Sequence, residues 1–417
     1  MTRSRFHKFP THFRETDDGI RYPVAFTEEI FIGDNQTIRR TFAKLGYDFP
    51  LTCAVLVDSG LVARNRQLIK QILRHFQKER TYLSLPQAPF VISGGEAIKA
   101  TTKMHDEVAS LCEKGHLNAE TMVLVIGGGA FIDAAGTALG QALGGIPFAA
   151  LPSSTLGQCA AGVGCCRFMN QEGQKNFSVI QTPPKAVFVD FGFLKSLSFE
   201  HFLSGMAEAF KMALACDADF FELLCRKARK IKQSESAIIE KALNRTARIN
   251  LSVPHPAQGG LPEPRLLGCW SAWWLESASG FKLPHGQALS VGLALDACLS
   301  VEAGTFSKEN FEKLTTAMIR CGLPIWNRYL ELRHPDGSLQ LLDGLSWWEN
   351  AHGKGRGLIV PCHGGTLARL IHRPDRFKLE KAVGELRQIS KREPADQDRR
   401  VFVVSPRERR ISSRPRL

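Results

Sequence analysis

The stretch Thr121–Asp133 reads TMVLVIGGGAFID, and its reading decides the fold. Four consecutive apolar residues, Val123, Leu124, Val125 and Ile126, run into three glycines and then into an apolar, helix-like segment. An apolar run of that length suits a strand buried on both faces of a parallel sheet. Glycines after it let backbone N–H groups come close to a phosphate, and a helix beginning near Ala130 adds its positive N-terminal end. The segment therefore predicts a strand, a tight turn and a helix start that together hold a diphosphate. With Gly127 and Gly129 as the first two positions of the dinucleotide fingerprint, Ile132 stands where its third glycine belongs. The site is thus a nucleotide site of another lineage.

Outward from this turn, residues 22–190 alternate short apolar runs with amphipathic segments, as a parallel sheet with covering helices requires. Strands are expected at Cys53–Val57, Phe90–Ile92, Pro147–Leu151 and Ala186–Asp190, with helices over Leu61–Phe76, Ala100–Cys112 and Ile132–Leu143. Arg167–Asn170 and Asn176–Ile180, separated by QEGQK, read as a hairpin. Beyond Phe191 the pattern turns to helix after helix, over 199–215, 217–232, 235–252, 270–279, 286–302 and 308–321. The expected fold class is α/β plus all-α: a nucleotide-binding domain with a parallel sheet over 21–191, then a helical metal- and substrate-binding domain over 192–386. Residues 1–20 are read as a flexible N-terminus and 387–417 as a basic, disordered tail. The chemistry belongs in the cleft between the domains.

Composition narrows the class. With 417 residues the chain is long enough for two cores, and 44% apolar with 23% charged residues describes an ordinary globular protein. No window reaches the roughly 18 to 20 apolar residues needed to cross a bilayer. The basic, polar N-terminus has no secretory core segment. Eleven cysteines, an odd number with Cys165 and Cys166 adjacent, read as reduced thiols of a cytoplasmic protein. About half of the +13 net charge lies in residues 387–417, which carry ten Lys/Arg against four Asp/Glu. No zinc-finger, helix-turn-helix or RNA-binding signature accompanies that tail, so a nucleic-acid partner is not expected.

Three residues of the helical half have metal-ligand chemistry. Glu208 lies in SGMAEAFKMAL, with Lys211 on the same helix face; Cys269 lies in LLGCWSAWWLE; His285 opens a helix in KLPHGQALS. Three protein ligands leave a position open for substrate. On spacing alone, a solvated glutamate and a core cysteine are the commoner readings. His255 and His363 fall in loop-like segments, and the tryptophan pairs 273–274 and 347–348 read as core and interface rather than a stacking platform.

The order of motifs resembles the sugar phosphate cyclases, the family of 3-dehydroquinate synthase. The resemblance runs from about Tyr22 to about Cys321 and is carried by Asp58, SGGEAIK, GGGAFID, LPSSTLGQ, GQKNF, the segment around SGMAEAFKMAL, and LPHGQALSVGLALDA. It implies an NAD-binding α/β domain joined to a helical metal-binding domain, a homodimer, and NAD-dependent closure of a sugar phosphate into a carbocycle with loss of phosphate. By position it assigns Asp58 to the adenosine ribose and Glu96 and Lys99 to the nicotinamide side. Gly128, Gly129, Asp133, Ser153 and Ser154 fall to the diphosphate and nicotinamide ribose. Glu208, Cys269 and His285 would hold a divalent metal, zinc or cobalt, and Lys175, Asn176 and Lys211 would contact substrate.

The chain departs from the family pattern mainly in the substrate half. Cys269 replaces a metal-binding His and Trp273 a second His; Ala160 replaces an Asp, Cys166 a phosphate-binding Lys, and Gly144 a phosphate-binding Arg. Thiolate is a good zinc ligand, but each charge-assisted phosphate contact is worth roughly 1.5–3 kcal/mol. Three readings follow: a cyclase of this family, an NAD-binding protein that has lost catalysis, and a metal-dependent NAD polyol dehydrogenase.

Overall fold

The computed structural model describes residues 11–16, 19–253, 263–352, 357–362, 366–370, 374 and 376–392. His255, His363 and the tail beyond residue 392 lie outside these residues. Strand β1 (Thr11–Glu15) and β2 (Arg21–Thr27) precede α1 (Thr37–Lys44), β3 (Leu51–Asp58), α2 (Ser59–Arg64), α3 (Leu68–Lys78), β4 (Leu83–Ser84) and β5 (Phe90–Ile92). After a short 3-10 turn over Glu96–Ala100 come α4 (Lys103–Glu113), β6 (Met122–Gly127), α5 (Gly129–Gln141), β7 (Phe148–Pro152), the hairpin β8 (Cys166–Gln171) and β9 (Gln174–Gln181), and β10 (Ala186–Asp190).

One eight-stranded sheet runs β1-β2-β10-β7-β6-β3-β4, with β5 also on β3, and every pairing except β1 with β2 is parallel. Strands β6 and β10 are buried at every residue, as expected where helices cover both faces. The expected helix over Leu61–Phe76 is two helices. Asp58 caps the first by accepting from the Gly60 amide at 2.8 Å, and Asn65 leaves helical geometry before the second begins. The N-terminal segment, read as flexible, contributes β1 as an antiparallel edge.

The helical half holds α6 (Phe199–Cys216), α7 (Ala218–Lys232), α8 (Ser236–Ser252), α9 (Cys269–Ala278), α10 (His285–Glu302), α11 (Lys308–Cys321) and α12 (Leu341–His352). It is not purely helical: β11 (Leu358–Cys362) and β12 (Thr366–Leu370) form a hairpin before α13 (Arg376–Arg392). Helix α13 extends through the first residues assigned to the tail. The two halves share a continuous apolar core from β6 and α5 through α6 and α10. Polar ties cross the same boundary: the Thr155 hydroxyl donates to the carbonyls of His201 and Phe202, both at 2.9 Å, and accepts from the Gly205 amide at 3.1 Å. Among the described residues no helix is long and apolar enough to cross a membrane.

Burial also sets a pH limit on stability. His75 on α3 packs edge-on against Phe31 and Phe76, its Nε2 has no hydrogen-bond partner among the described residues, and burial, aided by Lys78, pushes its pKa down to about 4. A depressed histidine pKa gives stability that is present above the unfolded value of 6.5 and lost as pH falls toward 4. Urea unfolding at pH 7 and pH 4 is expected to show the wild type losing about 3 kcal/mol more than His75→Met over that interval. Equal losses would contradict this assignment.

Candidate active site

A cleft of about 1890 Å³ opens between the two halves, large enough for a dinucleotide beside a second small molecule. All fourteen candidate residues, from Asp58 to His285, line it. Its nucleotide side is built at the C-terminal ends of the parallel strands, where open α/β sheets bind ligands. Asp58 ends β3, Gly128 caps α5, and Ser153 and Ser154 follow β7. The Ser153 amide donates to the Gly127 carbonyl at 2.8 Å, and Ser154 Oγ accepts from the Gly157 amide at 3.1 Å, which fixes the two serines beside the turn.

Two of the three glycines are required for space, and none for a left-handed backbone. None of Gly127, Gly128 and Gly129 has positive φ. A β-carbon on Gly127 would lie 2.6 Å from the Phe131 ring, and one on Gly129 would lie 2.8 Å from the β-carbon of Ala161. At Gly128 a β-carbon would meet only Ser154 Oγ, at 3.9 Å, so the backbone at the start of α5 is bare toward the cleft. A diphosphate fits such a bare helix start. Similarly, a β-carbon on Gly94 would collide with the Asp58 carboxylate, so the SGG turn lies directly against it.

An ionic chain crosses the cleft from this side. Lys99 Nζ donates to Asp133 Oδ2 at 3.1 Å and to Asn176 Oδ1 at 2.8 Å, and stands 3.8 Å from Glu96. Glu96 Oε1 accepts from Lys175 Nζ at 2.6 Å and from Asn170 Nδ2 at 2.8 Å. Lys175 reaches on to Glu276 Oε2 at 2.8 Å, and the other oxygen of Glu276 lies 2.7 Å from His285 Nδ1. Burial favours neutral Glu276, but Lys175 and His285 outweigh it and hold the pKa down at about 2. For Lys175, burial opposes the charge and the carboxylates of Glu276 and Glu96 overcome it, so its pKa is raised and it stays an ammonium. In Asp133 burial wins over Lys99 and Arg167 and the pKa is raised.

The three expected metal donors share the cleft, but each is bonded elsewhere. Glu208 Oε2 pairs with Lys211 Nζ at 2.8 Å, and Oε1 lies 3.4 Å from Asn250 Nδ2. Cys269 Sγ and Lys211 Nζ both donate to the Arg265 carbonyl, at 3.2 and 2.9 Å. His285 keeps Nε2 away from its bond to Glu276. Among the described residues no three His, Cys, Asp or Glu side chains stand together as a ready cage for an ion. The donor types nevertheless suit a divalent metal: carboxylate, thiolate and imidazole are all zinc ligands, and Glu276 on His285 Nδ1 stands where an outer carboxylate would orient a ligating imidazole. Burial pushes the Cys269 thiol up to about 12 despite Lys211, so binding a metal there must release its proton.

Glu276 is the residue that sequence reasoning missed. It lies seven positions after Cys269 on α9, two helical turns along one face, and that spacing was the available signal. Arg167 was missed as well: it is fully buried, 3.8 Å from Asp133 Oδ1. Of the departures, Ala160, Cys166 and Trp273 line the cleft, whereas Gly144 sits at φ +78° in a turn after α5 outside this lining. Trp273 packs against Trp347 and Trp348, with centroids 5.9 and 5.6 Å away, as core.

Residues 89–204 match the family described as 3-dehydroquinate synthase N-terminal, and residues 205–341 match 3-dehydroquinate synthase C-terminal. A 3-dehydroquinate synthase of Nitratiruptor sp. is 31% identical over 210 residues, 50% of this chain and 60% of that protein. The matched stretch is thus under two thirds of that relative's length. A 2-epi-5-epi-valiolone synthase of Actinomyces sp. is 26% identical over 333 residues, 76% of this chain and 84% of the relative. The structure of a 2-epi-5-epi-valiolone synthase from Streptomyces hygroscopicus subsp. jinggangensis, solved with NAD+ and Zn2+ bound, superimposes with a TM-score of 0.75 at 20% identity, covering 89% of this chain and 98% of that one.

Proposed function

The chain belongs to the 3-dehydroquinate synthase family, and on that premise we propose that it is a sugar phosphate cyclase. It uses NAD and a divalent metal to eliminate phosphate from a sugar phosphate and close the remaining chain into a carbocycle, as a cytoplasmic homodimer. The observation that carries this reading is the continuous ionic chain Glu96–Lys175–Glu276–His285, which joins the nucleotide side of the cleft to the metal donors. A dehydrogenase that only exchanges hydride has less need of a buried ammonium clamped between two carboxylates beside its substrate.

NAD, when bound, supplies a reversible hydride acceptor, which no side chain can replace. Glu208, Cys269 and His285 would hold a divalent ion, which would supply Lewis-acid polarisation of a substrate oxygen. The remaining work falls to the protein. Gly128 and Gly129 offer backbone donors to the diphosphate, and Asp58 accepts ribose hydroxyls. Lys175 stays charged and, with Asn176, directs donors at the oxygens of the substrate. Glu276 fixes the imidazole of His285 so that Nε2 faces the cleft. Lys211 balances the buried charge of Glu208 and, with an ion on that carboxylate, would be free to offer its ammonium to substrate. Trp273 and its tryptophan neighbours exclude water from one wall. The overall reaction converts the sugar phosphate to inorganic phosphate and a carbocycle with no net redox change.

The test is incubation of the NAD-loaded protein with six- and seven-carbon sugar phosphates, following phosphate, carbocycle and absorbance of reduced nicotinamide. Phosphate release with no accumulating NADH supports the cyclase. Accumulating NADH with a polyol would support the dehydrogenase, and NAD binding with no turnover on any sugar phosphate would support loss of catalysis.

The thiol at Cys269 adds a pH signature to metal binding. Below its raised pKa, each ion bound must displace the thiol proton, whereas a neutral imidazole has none to lose above its usual range. Zinc affinity of the wild type is therefore expected to fall about tenfold from pH 8 to pH 7, and that of Cys269→His by much less. Identical slopes would remove Cys269 from the ligand set.

A further inference from the structure

The buried cations that line the cleft are almost all neutralised by a carboxylate: Lys99 by Asp133, Lys175 by Glu96 and Glu276, Lys211 by Glu208. The half-buried Arg265 is neutralised by Glu263 at 2.6 Å. Arg14 differs. It lies on β1, outside the segment matched to the family, and only 5% of it is exposed. Its Nη1 donates to the carbonyls of Leu251 at 2.7 Å and Val253 at 2.9 Å, and among the described residues it meets no carboxylate. These carbonyls end α8, whose dipole offers about half a negative charge. A guanidinium so placed keeps net positive charge in a buried setting, and its Nε and Nη2 remain as donors.

Its position is beside the substrate half of the cleft. The Leu251 that holds it neighbours Asn250, which reaches Glu208. Tyr22, whose hydroxyl donates to the Val163 carbonyl at 2.8 Å, feels the charges of both Arg14 and Arg167 and lies near Cys165 and Cys166. Those two thiols, with Sγ atoms 3.9 Å apart, line the same part of the cleft and offer an anion no charge. We infer that Arg14 is an anion anchor of this cleft, binding the phosphate dianion of the substrate through its free edge. This rests on the sugar phosphate reading above. The fork geometry of a guanidinium suits a phosphate, and a buried, charge-assisted pair is stronger than a surface one. The other phosphate source in the cleft is the NAD diphosphate, which belongs at Gly128 and Gly129.

Inorganic phosphate titrated calorimetrically into the full-length, NAD-loaded protein tests the inference, with wild type, Arg14→Lys and Arg14→Gln compared. Phosphate is expected to bind the NAD-loaded wild type, at least tenfold more weakly to Arg14→Gln and at an intermediate affinity to Arg14→Lys, with NAD affinity unchanged in both. Phosphate that fails to bind the NAD-loaded wild type, or that NAD displaces, overturns it. So does equal binding by Arg14→Gln, which would leave Arg14 only as a tie between β1 and α8. If Arg14→Gln does not fold, the comparison of wild type with Arg14→Lys decides, equality again overturning the anchor. Phosphate release from sugar phosphates is measured alongside. Arg14-dependent phosphate binding without turnover would sink the cyclase and keep the anchor; turnover whose KM does not respond to Arg14 would do the reverse.

Discussion

Replacing Lys175 by Met is expected to lower kcat/KM for phosphate release by roughly a thousandfold, the effect of removing a positioned charge-assisted donor from an enclosed site. NAD affinity is expected to change little, because Lys175 stands beyond Glu96 from the glycine turn. Stability is affected too. Lys175 is the cation between two carboxylates, and removing one member of such a buried set costs about 3–5 kcal/mol. The sign of the pH dependence follows from Glu276. In the wild type its pKa is held down from 4.5 to about 2, so it contributes stability that is present above 4.5 and lost only as pH falls toward 2. Without Lys175 the burial that opposes its charge is less well answered, and His285 alone remains beside it. The variant is then expected to lose stability, relative to wild type, as pH rises from 5 to 8. Thermal unfolding across that range, with phosphate release at each pH, checks both effects. Turnover within tenfold of wild type would remove Lys175 from the chemistry.

Gly129→Val has the largest expected effect on the nucleotide side. The new β-carbon would press against Ala161, and the two methyl groups would occupy the bare start of α5 where the diphosphate belongs. NAD affinity is expected to fall at least about 100-fold, roughly 2.7 kcal/mol, measured by quenching of intrinsic fluorescence. A control at the other end of α5, Gln141→Ala, is exposed and leaves that affinity alone. Undiminished NAD binding by Gly129→Val would mean that the dinucleotide lies elsewhere.

The legible part of the molecule was its local grammar. VLVIGGG gave away β6 and the start of α5 because a fully buried strand needs unbroken apolar residues and a close turn needs glycine. The hairpin β8–β9 and helices α6 to α11 were legible within a residue or two from apolar periodicity. Of the features that were not, three have clear causes. The break at Asn65 was hidden because Leu61, Leu68 and Ile72 keep a plausible helical spacing across it. Strand β1 has few apolar residues and an exposed Phe13, since it is an edge strand held by Arg14 through contacts 237 and 239 residues away. The hairpin β11–β12 lies in a stretch without a clear alternating pattern.

The candidate site divides in the same way. The glycine turn at Gly128 and Gly129 was legible locally as a place for a diphosphate, whereas Asp58 and Ser153 came only from the resemblance to the family. Glu276 could not be assigned a partner, because Lys175 comes from β9 and only the packing of α9 on that hairpin brings them together. Nor could spacing reveal that Cys269 of α9 lies beside the Glu208–Lys211 pair of α6, since that is a property of two helices meeting.

The measurement that bears most directly on the cyclase is a coupled record of phosphate and NADH, taken from the NAD- and zinc-loaded protein supplied with a seven-carbon sugar phosphate. Many equivalents of phosphate per protomer, a carbocyclic product and no net NADH are the expected result. Phosphate no faster than in protein-free buffer across six- and seven-carbon substrates, with NAD and zinc both bound, would contradict it.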